Sequence, residues 1–212
     1  MLSGNSGPSL MNHPLRCRCG TLQGVVVPAP STTRIVCYCR DCQAYARFLG
    51  SPGVVDPCGG TEIVASLPRH VQFTNGQEML SCLSLSERGL LRWYASCCNT
   101  PVGNTPRSSK VAYVGLVHSC LEAHAPSLET SFGSLRVAVN TRSALGQVRS
   151  MPISNIVGLL GLVRALVGAR LSGAYKDNPF FLAESRSPVR PVHVLSSAER
   201  SRAYGDDEPP VA

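Results

Sequence analysis

The sequence is poor in aromatic and charged side chains: 6% of residues are Phe, Trp or Tyr, with a single Trp, and 16% are Asp, Glu, Lys or Arg. Nonspecific single-strand nucleic-acid binders stack bases on aromatic side chains along a basic groove, and no strand here interleaves the two. Nucleic acid is therefore not an expected partner. The first fifteen residues hold Gly, Ser, Asn and Pro where a secretory signal has an apolar segment behind a basic one. The expectation is a cytoplasmic protein in a reducing compartment, where clustered thiols serve metals more often than disulfides. There is no Ser, His and Asp arrangement, no phosphate-cradling glycine loop and no metalloprotease helix, and the five histidines are scattered. Hydrolysis by a nucleophilic triad and nucleotide chemistry are not indicated.

What the chain does have is cysteine. Five of ten fall in two tight clusters, Cys17-Arg18-Cys19-Gly20 and Cys37-Tyr38-Cys39-Arg40-Asp41-Cys42, and Cys97-Cys98 follows downstream. Zinc held by four thiolates at about 2.3 Å needs sulfurs roughly 3.8 Å apart. Residues i and i+2 of a strand share a face, so Cys17 with Cys19, and Cys37 with Cys39, can lean toward one ion. A turn through Arg40 and Asp41 would return Cys42 as a third ligand. Three protein ligands leave a position for water or substrate, as in catalytic zinc sites, whereas a fourth would make the site structural. The lone Cys58, Cys82 and Cys120, among apolar neighbours, read as small core residues.

With 43% hydrophobic residues, the chain can bury a core without disulfides. The fold class expected is mainly β. Strands are expected near 15–27, 32–39, 61–66, 71–73, 79–85, 90–96 and 110–117, from alternating or β-branched runs broken by Gly, Pro and Asn. Asn75-Gly76 and Glu87-Arg88-Gly89 are read as hairpin-type turns. A short helix is expected over 41–49. Residues 153–171, rich in Leu, Val, Ala and Gly with only Arg164 and Arg170 charged, are expected to form a further helix. Arg164 near its middle argues against a transmembrane span, leaving a mostly buried helix packed on the sheet, or an interfacial helix in peripheral contact with a membrane. The two aromatics of Phe180-Phe181 would anchor the tail to the body. The organisation expected is a flexible lead over 1–14, a zinc-binding β-rich domain over 15–145, a helical extension over 146–200 and a disordered tail over 201–212. Oligomeric state is not legible.

The order Cys-x-Cys-Gly, then Cys-x-Cys-x-x-Cys, then a cysteine before Thr-Pro resembles the glutathione-dependent formaldehyde-activating enzymes and centromere protein V. The likeness runs from about residue 15 to residue 104 and includes Gly59-Gly60-Thr61 and the hairpin before Arg92-Trp93-Tyr94. It implies a β-tent of small antiparallel sheets with two zinc sites. The closed site would take Cys17 and Cys19, and the catalytic site Cys37, Cys39 and Cys42. The implied reaction is carbon–sulfur bond formation between glutathione and formaldehyde, or its reversal by a carbon–sulfur lyase, with a small thiol as the expected partner. Arg40, Arg47 and Arg92 stand near the motifs and would meet glutathione's carboxylates. The pattern departs at Ala95, where the first thiolate of Cys-x-x-Cys-Gly-Thr belongs, while Cys98 fits the second. Cys97 substitutes if the chain turns there, as Asn99 and Pro101 allow; otherwise the site borrows Cys58, Cys82 or Cys120, or stays at three ligands. The alternative to an enzyme is a noncatalytic zinc-built module whose arginines, especially those after Arg164, contact an acidic protein or nucleic acid.

Overall fold

The computed structural model describes residues 12–121, 126–148 and 152–205. Its strands are β1 (His13–Arg16), β2 (Gln23–Val26), β3 (Thr33–Cys37), β4 (Thr61–Ser66), β5 (Val71–Asn75), β6 (Leu80–Ser84), β7 (Leu91–Ala95), β8 (Thr100–Thr105), β9 (Val114–Val117), β10 (Leu135–Val139) and β11 (Val192–Val194). The α-helices are α1 (Arg40–Phe48), α2 (Leu128–Phe132), α3 (Pro152–Ser172) and α4 (Ser197–Tyr204). The mainly β class expected from the sequence is what is found.

The strands form a three-stranded antiparallel sheet, β1-β2-β5, and an eight-stranded sheet, β10-β3-β4-β9-β8-β7-β6-β11. The larger one is mixed, because β10 lies parallel to β3 at one edge and β11 parallel to β6 at the other. In β7, Leu91, Trp93 and Ala95 enter a core that also takes Leu15 and Val26 from the small sheet and Leu22 from the turn before β2. The alternate residues Arg92 and Tyr94 lie toward α1, where Tyr45 donates to the Trp93 carbonyl at 2.6 Å. The aromatic anchor expected at Phe180-Phe181 is present: Phe180 is fully buried, 5.2 Å from the Trp93 ring and 5.6 Å from Phe73. Burial of such a side chain contributes about 1.5–3 kcal/mol.

Several local expectations need correction. The segment over 15–27 is two strands, and Cys17 and Cys19 lie in the turn between them. Asn75-Gly76 joins strands of different sheets and is not a hairpin, whereas Glu87-Arg88-Gly89 does connect the antiparallel pair β6 and β7. His13 and Pro14, expected in the lead, belong to β1, and residues 201–204, expected in the tail, complete α4. The remainder of that lead, 1–11, and of the tail, 206–212, lies outside the described residues. The extension also supplies β11 to the main sheet. Helix α3 is less covered than a mostly buried helix would be. Leu162 and Ala169 are buried, Leu162 beside Ile35, Ala65 and Val137, but Leu159, Leu160, Val163, Val167 and Leu171 are exposed along another side. Among the described residues, no helix is long and apolar enough to cross a membrane.

Candidate metal centres

Two groups of cysteines can each hold a metal ion: Cys17, Cys19, Cys97 and Cys98, and separately Cys37, Cys39 and Cys42. Within each group every sulfur lies within 4.8 Å of the others.

The four-thiol group joins two turns. Between β1 and β2, Gly20 donates to the Cys17 carbonyl at 2.9 Å, and its φ of +79° is cheap only for glycine. Between β7 and β8 the reversal is made at Asn99, whose φ is +54°. Adjacent cysteines would diverge on a strand, but this turn brings Cys97 and Cys98 to one side, with their sulfurs 3.9 Å apart. Cys97 approaches Cys19 at 3.3 Å and Cys17 at 3.8 Å, and Cys17 and Cys19 are 3.5 Å apart. These separations match the roughly 3.8 Å of a tetrahedral thiolate set. Cys97 thus joins Cys98 in the group, while Cys58, Cys82 and Cys120 stay out of both groups. Arg18 ties the turns together, its amide donating to Thr100 Oγ1 at 3.0 Å and its guanidinium to the Cys98 carbonyl at 2.9 Å. Thr21 lies 3.3 Å from Cys19 Sγ and Thr100 lies 3.0 Å from Cys98 Sγ. The Thr21 hydroxyl and amide, with the Cys97 thiol, bring the Cys19 thiol down to about 6, and burial pushes Cys17 up.

The three-thiol group is built at one strand-to-helix junction. Cys37 ends β3, Cys39 caps α1 and Cys42 lies in its first turn, donating its amide to Cys39 Sγ at 3.3 Å. The helix N-terminus favours negative charge on the capping sulfur. Cys37 and Cys42 are buried and Cys39 is partly exposed, so access is from the Cys39 side. Asn140, at a φ of +56°, donates its side-chain amide to Cys37 Sγ at 3.3 Å. Hydrogen bonds from the Cys39 and Cys42 thiols, then from Asn140, hold the Cys37 thiol well below its ordinary range. The same contact with Cys37 raises Cys39 and Cys42. Three adjacent thiols share one negative charge far more readily than three, and a divalent cation would release the remaining protons.

Of the three arginines singled out, Arg92 is 2% exposed and stands behind the three-thiol group. Its guanidinium reaches Cys42 Sγ at 4.0 Å, donates to Asn104 Oδ1 at 3.2 Å, lies 3.5 Å from Asp41 and sits over the Tyr45 ring. Burial opposes its charge, but Cys42 and Asp41 outweigh that and raise its pKa. Arg47 donates to the Ala203 carbonyl at 2.5 Å, and Arg40 lies 5.4 Å above the Tyr204 ring. Each thus contacts the protein itself. The supporting groups Thr21, Asn140 and Tyr204 escaped sequence reasoning, Asp41 figured only as a turn residue, and Thr100 carried a signal as part of Thr-Pro.

No curated protein matches the sequence. Among solved structures, the chain is similar to a Rhodobacter sphaeroides protein, with a TM-score of 0.39 and 16% identity over 59% of this chain and 99% of that one. That likeness is too slight to bear on function. A family model described as "Family of unknown function (DUF6151)" matches residues 11–153, a span that contains both thiol groups and ends before β11 and α4. The chain belongs to that family.

Proposed function

We propose that the protein binds zinc at both thiol groups, a closed structural ion at Cys17, Cys19, Cys97 and Cys98 and a working ion at Cys37, Cys39 and Cys42, and that it joins a small thiol to an aldehyde. The observation that carries the reading is the inequality of the sites: four thiols in one, three in the other. All-sulfur donor sets suit zinc, and an open fourth position is what separates catalytic from structural zinc. Zinc bound at the three-thiol group would keep a substrate thiol deprotonated at neutral pH.

The chain's own residues do the rest. Arg92 offsets the negative charge of the thiolates from behind, Asn140 orients Cys37, and the partly exposed Cys39 side admits the substrate. With glutathione and formaldehyde as the pair, the thiolate sulfur attacks the carbonyl carbon and a carbon–sulfur bond forms. The π electrons pass to oxygen, which takes up a proton, giving S-hydroxymethylglutathione; the reverse is the lyase direction. This substrate pair rests on the resemblance to the formaldehyde-activating enzymes. Support from the site lies in the partly exposed Cys39 and in the buried Arg92 beside Cys42.

Native mass spectrometry should count one zinc for each group, with one ion lost in Cys39→Ser and the other in Cys98→Ser. Exchange spectroscopy with glutathione and formaldehyde should show faster interconversion with wild type than with Cys39→Ser. Equal rates would remove the catalytic reading and leave a zinc-built binding module, which salt-sensitive binding to an acidic protein or nucleic acid would then identify.

A further inference from the structure

The helix α4 lies beyond the span shared with the family, yet it reaches the three-thiol group through a chain of contacts. Tyr204 donates its hydroxyl to Asp41 Oδ1 at 2.6 Å. The other oxygen of Asp41 is 3.5 Å from Arg92 Nη2, and Arg92 Nη1 is 4.0 Å from Cys42 Sγ. Asp41 is half exposed, so on its own its carboxylate could turn to water, whereas Arg92 is buried and needs a fixed anionic partner. The Tyr204 hydroxyl holds Asp41 in the rotamer that faces inward. The helix itself is set by a capping box between Ser196 and Glu199, by Arg47 on the Ala203 carbonyl, and by Arg40 and Arg200 against the Tyr204 ring.

We propose that Tyr204 is a positioning residue for the three-thiol metal site, acting through Asp41 and Arg92 on Cys42. This rests on the reading that Cys37, Cys39 and Cys42 hold a metal. Partners one step out from metal ligands, here Arg92, typically govern about 10–100-fold in affinity by orienting the ligand and compensating its charge, and Tyr204, two contacts further out, governs the part of that which depends on a fixed Asp41. Arg92 and Asp41 lie within the span matched by the family, and the outermost member, Tyr204, comes from a helix beyond it.

The test uses the full chain loaded with cobalt(II), with affinities read by chelator competition from the thiolate-to-cobalt absorption. Cys37→Ser and Cys98→Ser proteins assign the two signals. Tyr204→Phe keeps the ring under Arg40 and Arg200 and removes only the hydroxyl. The expected result is a loss of about 3–10-fold at the three-thiol site, a part of the effect of a ligand's direct partner, with the four-thiol site unchanged. Asp41→Asn should lose about as much, and the double variant no more than either alone, since both break one chain of contacts. Wild-type affinity at the three-thiol site in Tyr204→Phe, or an equal loss at both sites, overturns the proposal. A wild-type protein that takes up metal only at the four-thiol site overturns the underlying reading and this one with it.

Discussion

Removing metal from the protein should cost stability almost wholly through the four-thiol site. Cys17 and Cys97 are 80 residues apart in sequence, and a metal held by both closes the intervening chain into a loop. Treated as a cross-link of that length, the clip removes unfolded-state entropy worth about 4.5 kcal/mol. A linkage argument gives a similar figure, since free metal at about 1,000 times its dissociation constant stabilises the folded state by about 4 kcal/mol. These are two views of one effect and do not add. For a chain of this size the melting temperature should fall by about 8–16 °C. The three-thiol group spans only a strand end and a helix start, so the same reasoning assigns its ion little stabilisation. The assay is calorimetry under reducing conditions, with and without a strong chelator, on wild type, Cys97→Ser and Cys37→Ser. Wild type and Cys37→Ser should both drop on chelation, while Cys97→Ser should start low and move little. A wild-type protein stripped of all metal whose melting temperature moves by less than about 2 °C would refute the clip.

Phe180→Ala should destabilise by about 3–5 kcal/mol, because the buried ring is wedged between Trp93 and Phe73; an unchanged urea midpoint would show that the C-terminal segment is not anchored there. Asn140→Ala loses both the hydrogen bond to Cys37 and a side chain tolerant of positive φ, whereas Asn140→Gly loses only the bond. Alanine should therefore be the less stable by about 1 kcal/mol in urea unfolding, with both variants weakening the three-thiol site. His13 is fully buried, its Nε2 donating to the Leu121 carbonyl at 2.7 Å and its Nδ1 2.8 Å from Ser131 Oγ. Burial lowers its pKa below the ordinary 6.5, so the unfolded chain takes up a proton first. Stability should hold above that value and fall as pH drops below it, and the urea midpoint of His13→Gln should fall less over the same range.

The legible part of this fold is local. Residues 61–66 form the strand expected, since a β-branched run buried on both faces has one reading. The helix after Cys39 follows from Gln43, Ala44 and Arg47, and the turn at Asn99 from a residue that tolerates positive φ. Strand β8 was hidden, because Thr100-Pro101-Val102-Gly103-Asn104-Thr105 has turn-like composition; it is buried throughout between β7 and β9, where neighbours override propensity. The parallel strands β10 and β11 were illegible because their partners, β3 and β6, are roughly 100 residues away in sequence, beyond any local period. The cysteines announced the candidate site by type and spacing, but their geometry comes from turns and a helix cap instead of strand alternation. Asp41, Asn140 and Tyr204 carry no local pattern, since what brings each to the sulfurs is tertiary contact.

Because β11 is the outermost rung of the large sheet and comes from the far end of the chain, the flank of β6 stays bare while the protein is being made. At ribosomal speeds of about 5–20 residues per second, roughly 100 further residues must emerge before Val192–Val194 can cover it, a wait of about 5–20 s. Throughout that interval the nascent polypeptide offers unpaired amides and carbonyls to any neighbouring strand. Late sealing by so short a segment makes expression yield sensitive to changes in Val192–Val194.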